Sequence, residues 1–179
     1  LKEEYARFLP HISNNYDFQE LLSELLGELN ASHTGGRYSP NMQNPDATAA
    51  LGLLYDETFN SKGIKVTEVI AGGPFDKSTS KLKAGFIIEK IDGEEITNDV
   101  DWNKFLNRKS AKNTLISLFD PATNSRFEEV VKPINFGEEA ALMYKRWIRK
   151  MDEMVNKLSD GKVGYVHVQG MNDGSYRNT

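Results

Sequence analysis

The chain has 179 residues, of which 39% are hydrophobic and 27% are charged, a composition typical of a globular protein with one domain or two small ones. Its net charge of −4 provides no basic excess to neutralise phosphates, so nucleic acid is not an expected partner. It contains no cysteine, which excludes disulfides, thiolate nucleophiles and cysteine-based zinc sites, and leaves the cellular compartment open.

The N-terminal part is predicted to be helical. One short helix covers residues 1–9 and is stopped by Pro10. A second helix begins at Asp17, whose carboxylate is the expected N-cap in a capping box with Glu20, and ends near Asn30. Apolar residues recur on one face of this helix, which we expect to be buried: Phe18, Leu21, Leu22, Leu25, Leu26 and Leu29.

Ser32 and His33 follow this helix and precede a glycine-containing turn. The unperturbed pKa of histidine lies nearest neutral pH, so His33 is placed to move protons as a general base. The alternative is a helix C-cap histidine, whose cation the helix dipole favours. Ser32 as the nucleophile of a Ser-His dyad is disfavoured, because adjacent residues at a helix end project in different directions; an ordinary turn serine is the better alternative. Residues 34–46 indicate a loop or linker.

A β-rich module is predicted over residues 47–134. The run 63–70 alternates apolar and polar residues, as in a half-buried strand, and Asp92-Gly93 predicts a tight turn. A short helix over residues 100–107 carries Trp102, Phe105 and Leu106 on one face. The strands are expected at 51–55, 63–70, 86–91, 114–118 and 127–131.

The tail is predicted to contain a long helix over residues 138–158, with Gly161 as its stop. Residues 163–168 alternate and predict a strand. The apolar stripe of the helix indicates core or interdomain packing rather than a binding groove, and consists of Met143, Trp147, Ile148, Met151, Met154, Val155 and Leu158.

Residues 47–134 resemble a PDZ domain of the circularly permuted bacterial type. The likeness rests on the loop 51–54, the strand that ends in Gly73-Pro74, and the glycine, apolar strand and Asp-Gly turn of residues 82–96. It implies that loop amides cradle a peptide's C-terminal carboxylate, and that the next strand adds the peptide by β-augmentation. The alternative is that these residues fill a small barrel core. The implied peptide-binding residues are Leu51, Gly52, Leu53, Leu54, Trp102 and Phe105.

Residues 22–34 also resemble the tricorn proteases, which are self-compartmentalising serine peptidases, and the likeness returns in residues 144–147 and 160–168. It implies peptide hydrolysis through an acyl-enzyme intermediate without a cofactor. In that family, Ser32 and His33 correspond to two members of a catalytic tetrad. The nucleophilic serine and the oxyanion amides lie beyond the position of Thr179, so the chain is expected to be a fragment that is inactive alone.

The resemblance implies an α+β layout in three parts. Residues 1–46 form a helical tricorn C1-like domain, and residues 47–134 form a PDZ-like barrel or sandwich with flanking helices. Residues 135–179 supply a long helix and the first strand of an incomplete α/β catalytic domain, the C2-like domain. The expected partners are peptides or unfolded proteins in a prokaryotic cytoplasm or exported compartment, and a homo-oligomer is compatible with the family. The alternative function is a stand-alone PDZ-type adaptor without catalysis.

The remaining sequence features predict no further site. The three histidines lack metal-ligand spacing, so no metal is expected, and His11 and His167 are interpreted as structural. No apolar run approaches the about 20 residues that span a bilayer, and no signal peptide is visible.

Overall fold

The computed structural model describes residues 1–177, which form mixed helices and an antiparallel sheet. The chain divides into two units, Leu1–Pro45 and Asp46–Thr179. The first unit contains α1 (Lys2–Ala6), a 3-10 helix (Leu9–His11) and α2 (Asn15–Gly27). Pro10 therefore does not stop a nine-residue helix but lies in the first turn of the 3-10 helix, where its fixed φ and missing N–H are tolerated.

The N-cap of α2 is Asn14, not Asp17 as predicted. The Asn14 Oδ1 accepts the N–H groups of Tyr16 and Asp17 at 2.8 and 3.0 Å. The Asp17 carboxylate accepts the Ser13 N–H at 2.9 Å. Asp17 therefore stabilises the start of α2 although it is not the N-cap. The helix ends early as well, because the next turn tightens into i→i+3 hydrogen bonds before Asn30 takes a φ of +47°.

The leucine face of α2 is only partly covered. Every residue in the first unit remains at least partly accessible, and Leu29 is 58% exposed. An apolar groove of 490 Å³ is lined by α1, Leu9 and the α2 residues Phe18, Leu21, Leu22 and Leu25. The burial expected for this face is therefore not achieved within residues 1–45.

The second unit contains a six-stranded antiparallel sheet with the order β1-β2-β3-β5-β6, in which β4 pairs with β3. All five predicted strands form, with ends that shift by up to two residues, and the short β4 was not predicted. The strands are β1 (Leu53–Tyr55), β2 (Ile64–Val69), β3 (Ile87–Ile91), β4 (Glu94–Glu95), β5 (Thr114–Asp120) and β6 (Ser125–Val131).

The predicted tight turn joins β3 to β4. Asp92 and Gly93 have φ values of +50° and +87°, the backbone of a type I′ hairpin turn. The Asp92 carboxylate also accepts the N–H of Leu115 at 2.8 Å and pairs with Lys109, which ties the turn to β5. Alternate residues of the strands point into one apolar core, whose fully buried members include Leu51, Val66, Ile88, Ile91, Leu106, Ile116 and Leu118.

The helix predicted over residues 100–107 is a 3-10 helix, Trp102–Leu106. Asp101 caps it by accepting the N–H of Asn103 at 3.1 Å, and i→i+3 hydrogen bonds such as Asn107 N–H to the Lys104 carbonyl hold it. The element has only five residues, a length for which 3-10 geometry is common.

The long tail helix α3 (Phe136–Leu158) begins two residues earlier than predicted, at a capping box between Asn135 and Glu138. Arg146 links α3 to β2, because its guanidinium donates two hydrogen bonds to the Glu68 carboxylate, at 2.7 and 2.6 Å. Its apolar stripe stays largely accessible in the described chain, with Met154 52% and Leu158 81% exposed.

The strand predicted over residues 163–168 does not form. A strand needs a neighbour to take its backbone hydrogen bonds, and none of the six strands of the described sheet pairs with this segment. His167 instead packs against the α3 rings of Trp147 and Tyr144, at centroid distances of 4.8 and 5.6 Å. A short helix α4 (Asp173–Arg177) follows. Across residues 1–177, no helix has the length and hydropathy needed to cross a membrane.

Candidate functional sites

Ser32 and His33 lie in a turn five residues beyond the end of α2. Both side chains are exposed, and within residues 1–177 neither makes a hydrogen bond. The helix C-cap is Glu28, so His33 is not the cap, and it lies outside the last turn, where a helix dipole acts. His33 has a φ of +65°, a conformation that non-glycine residues rarely adopt.

The segment just after this turn is hydrogen-bonded to α2 through Ser23, a contact called here the Ser23–Gly36 clasp. The Ser23 hydroxyl accepts the Gly36 N–H at 2.9 Å and donates to the Gly36 carbonyl at 3.0 Å. A Cβ on Gly36 would lie 3.3 Å from both the Gln19 carbonyl and the Leu22 side chain, so the close approach favours glycine. Sequence reasoning missed Ser23; the only available signal was a polar residue among the leucines of α2.

The chemistry open to His33 is limited by its surroundings. The imidazole is accessible and unengaged in the described chain, so it can accept a proton from a hydroxyl brought to it. The structure does not bring Ser32 into hydrogen-bonding contact with it, and no carboxylate within residues 1–177 pairs with it. A nucleophile, an orienting acid and oxyanion donors would all have to come from elsewhere.

The second candidate site is the Gly52 loop, residues 51–54. Gly52 has a φ of +65°, and a Cβ there would lie 2.8 Å from Cδ of Pro74. The Gly52 carbonyl accepts the Ile70 N–H at 3.0 Å, and the Ile70 carbonyl accepts the Gly73 N–H at 3.0 Å. The structure thus brings together the loop and the Gly-Pro turn that the sequence singled out separately.

The loop offers backbone rather than side chains to a ligand. Leu51 and Leu53 are 1% and 3% exposed and belong to the core, so they cannot line a peptide groove as side chains, and Leu54 is half-buried. β1, which continues the loop, is the end strand of the described sheet, and its outer edge carries no paired strand there. An edge of this kind can accept an added strand.

Trp102 and Phe105 have different surroundings. Trp102 packs edge-on against Tyr55 at 5.2 Å and lines two cavities, one of 650 Å³ at the β1–β2 connection and one of 310 Å³ beside the Gly52 loop. Phe105 is half-buried and packs on the core, lining neither cavity, which fits the core-filling alternative for this residue.

The smaller cavity includes two residues that sequence reasoning missed. Phe136 and Glu139, from the first turn of α3, line it together with Leu51, Tyr55 and Trp102. Burial raises the pKa of the Glu139 carboxyl, and the nearby backbone N–H of Gly52 acts on that pKa in the opposite direction. Burial also raises the pKa of the Tyr55 hydroxyl, with a smaller contribution from the Glu139 charge. An ionisable side chain of α3 therefore lies at this cavity, beside Leu51 and Tyr55.

Metal-ligand geometry is not seen in the described part of the chain, where no group of three or more His, Asp or Glu side chains could hold an ion.

Comparisons with known proteins agree with the resemblance stated from the sequence. Residues 1–27 match the family described as the tricorn protease C1 domain. The tricorn protease homolog of Saccharolobus solfataricus is 25% identical over 93% of this chain and 16% of its own length. The tricorn protease of Thermoplasma volcanium is 22% identical over 94% of this chain and 17% of its own.

A crystal structure of the tricorn protease superposes with a TM-score of 0.81 at 19% identity, over 98% of this chain and 17% of that chain, which shows a shared fold. The chain spans a fifth or less of the length of the curated relatives it matches. The predicted resemblance to a segment of the tricorn protease family is confirmed.

Proposed function

We propose that this chain is a segment of a tricorn-like serine peptidase that hydrolyses peptides, and that His33 is its general base. The observation that carries the proposal is the turn beyond α2, in which the His33 imidazole is accessible and makes no hydrogen bond within residues 1–177, three residues before the Gly36 backbone that Ser23 binds. The likeness to tricorn proteases along 93% of the chain supports the reaction class. Peptides or unfolded proteins are the proposed substrates, and a homo-oligomer is compatible with the intact enzyme.

In this mechanism, His33 takes the proton of a serine hydroxyl supplied by a part of the enzyme outside this chain. The serine then attacks the peptide carbonyl, and an acyl-enzyme forms as the amine leaves with the proton that the imidazole returns. Ser32 acts next to the base as an orienting residue, because its exposed hydroxyl lies in the same turn. No step requires a cofactor.

The test is a set of two histidine variants in the full-length enzyme that contains this segment. His33→Ala is expected to lower the rate of serine acylation by a phosphonate probe by about 10²- to 10⁴-fold, the range typical of a lost general base. His11→Ala is the matched control, because His11 is also exposed and lies in the same helical unit. Near-parental acylation by the His33→Ala enzyme would remove His33 from the mechanism.

The 179-residue chain alone is expected to give no turnover. It lacks an assigned nucleophile and oxyanion hole, and such groups act as a unit whose loss removes several orders of magnitude in rate. Incubation with fluorogenic peptides and the phosphonate probe measures this. Labelling of Ser32 would contradict the proposal, since it would make that residue the nucleophile.

A second proposed function is peptide binding by residues 47–134 as a PDZ-like module. The unpaired edge of β1 and the tightly turned Gly52 loop favour it, because together they match a strand that receives a peptide and a loop that receives its carboxylate. In the peptidase, the module would control the access of peptides or deliver them to the active site. The alternative is that the module acts as a stand-alone peptide-binding adaptor without catalysis. Amide shifts in an NMR titration, centred on residues 51–55 and Trp102, would support binding; an unresponsive spectrum against a diverse peptide library would leave the module as a spacer.

A further inference from the structure

Phe136 is an exposed aromatic residue in the first turn of α3, and its side chain lines the smaller cavity. The ring is 77% exposed. Large apolar side chains that stay exposed together mark sites of interaction. The other aromatic rings of this cavity, Tyr55 and Trp102, are both half-buried and pack edge to face at 5.2 Å. The accessible apolar wall of this 310 Å³ space is therefore largely aromatic, and three separate elements supply it.

The backbone on both sides of Phe136 is held by hydrogen bonds. Ala50 and Ile134 exchange two backbone hydrogen bonds, at 2.8 and 2.9 Å, just before α3 begins. In the capping box of α3, the Asn135 N–H donates to the Glu138 carboxylate at 2.8 Å, and the Glu138 N–H donates to Asn135 Oδ1 at 2.9 Å. Phe136 lies inside this box, so its ring is positioned at the cavity before a ligand arrives. A side chain that is already positioned needs little further ordering when it binds.

The neighbouring strand β1 specifies what kind of ligand can fill this space. Its outer edge carries no paired strand in the described sheet, so backbone N–H and C=O groups there lack a strand partner. Tyr55 belongs to β1 and also lines the cavity, which places the edge and the aromatic space side by side. A ligand that satisfies both features needs a backbone that can pair with β1 and a large apolar side chain that can enter the cavity. An extended peptide has both.

We infer that Phe136 is a specificity-determining residue of the peptide site, and that it contacts a large apolar side chain of a peptide added to β1. The inference rests on the proposed peptide-binding function and deepens it. α3 lies outside residues 47–134, so the site extends beyond the PDZ-like module into the helix that follows it. The ligand class is a peptide with leucine or phenylalanine near its C-terminal carboxylate, because Leu51 of the loop proposed to receive that carboxylate borders the same cavity.

The test measures the affinity of the 179-residue chain for fluorescent ten-residue peptides with free C-termini. Each peptide carries either leucine or serine at both its last and its third-last position, which face the same side of an extended strand. The parent should prefer the leucine peptide, and Phe136→Ala should bind that peptide at least about tenfold more weakly, with little change for the serine peptide. Phe136→Tyr keeps the ring and should retain the parental affinity. Met154→Ala is the matched control, because Met154 is 52% exposed on the same helix and does not line the cavity.

The outcomes separate this inference from the peptide-binding function itself. Equal affinity of the parent and Phe136→Ala for the leucine peptide would overturn the inference while leaving peptide binding intact. If no protein, the parent included, binds either peptide, the peptide-binding function fails and the inference fails with it. Sedimentation of the free proteins tests a second copy of the chain as the occupant: a dimeric parent and a monomeric Phe136→Ala would overturn the inference. An intermolecular NOE between the leucine methyl groups of the bound peptide and the Phe136 ring would support it directly.

Discussion

Ser23 links α2 to the segment that follows Ser32 and His33, because its hydroxyl satisfies both the N–H and the carbonyl of Gly36. We expect Ser23→Ala to cost about 1 kcal/mol of stability, the usual value of a lost hydrogen bond. In the full-length enzyme it should lower kcat by about 10- to 100-fold with little change in KM, because a misplaced base slows chemistry more than binding.

Ser23→Thr is the rescue variant for that measurement, since it keeps the hydroxyl. Steady-state rates and urea unfolding of the three proteins distinguish a positioning role from a purely structural one. If Ser23→Ala loses stability but keeps its kcat, the clasp has no part in placing His33.

Gly52 combines a left-handed backbone with a close contact, and these two constraints can be separated by experiment. Gly52→Ala should cost more free energy of unfolding than Gly85→Ala. Both positions have positive φ, +65° and +94°, but only at Gly52 does the added Cβ meet a neighbour, Cδ of Pro74 at 2.8 Å. The backbone strain alone is worth about 1–2 kcal/mol, and overpacking adds about 1–3 kcal/mol. Urea unfolding of both variants measures the difference, and equal losses would show that the loop relaxes around the new methyl group.

At the scale of elements, the attachment of α3 to the sheet should depend on pH through Glu68. The Arg146 guanidinium hydrogen-bonds the Glu68 carboxylate and holds the pKa of that carboxyl below its usual value, against the opposing effect of burial. A carboxyl whose pKa is lower in the folded state stabilises the fold above its unfolded pKa, and this stabilisation is lost as the pH falls through the lowered value. At pH 7, the free energy of unfolding of the parent should therefore exceed that of Arg146→Ala by about 1 kcal/mol. This difference should shrink below about pH 4.3.

Arg149→Ala is the matched control for this measurement. Arg149 is exposed on the same helix, and its nearest acidic group is Glu153 at 3.8 Å, so its removal should change stability little at either pH. Urea unfolding at pH 7 and pH 3 gives all the values. A gap between the parent and Arg146→Ala that stays constant with pH would contradict the assigned ion pair.

At the scale of the whole molecule, the two units should differ sharply in stability. The second unit has a core of fully buried side chains, whereas no residue of Leu1–Pro45 is buried. A peptide of about 45 residues without a core does not hold its fold against chain entropy. In native-state hydrogen exchange, we expect the amides of α2 to exchange orders of magnitude faster than those of β3 and β5. Comparable protection of α2 would show that its leucine face is covered in solution.

Local sequence signals predicted many elements correctly because each signal acts within a few residues. Alternation identified β2, and the Asp92-Gly93 turn required only that pair and its flanking strands. The errors lie at the ends of helices, where several nearby side chains can accept the same free N–H groups. The N-cap of α2 is Asn14 instead of the predicted Asp17, because both residues have a short polar side chain near the start of the helix. The strand over residues 163–168 failed because its pattern cannot supply a pairing partner.

For the candidate sites, the sequence singled out Ser32, His33 and the Gly52 loop, and the roles of these residues remain predictions. Their surroundings came from contacts between distant positions. Ser23 contacts Gly36 across 13 residues, Gly52 lies against Pro74, and Glu139 of α3 lines a cavity together with Leu51. A local sequence pattern cannot predict such a contact, because the contact forms only when the packed core brings two distant segments together.

The sequence by itself therefore determined the α+β class, five of the six strands of the described sheet, the long tail helix and the resemblance to tricorn proteases. These follow from hydrophobic periodicity, turn residues and motifs that are contiguous in the chain. Only the tertiary structure decided that Leu51 and Leu53 are core, that the stripe of α3 stays accessible, and that Glu139 of α3 lines the cavity beside Trp102. The physical reason is that burial and electrostatics are properties of a side chain's neighbours in space, and the packing of the sheet determines those neighbours.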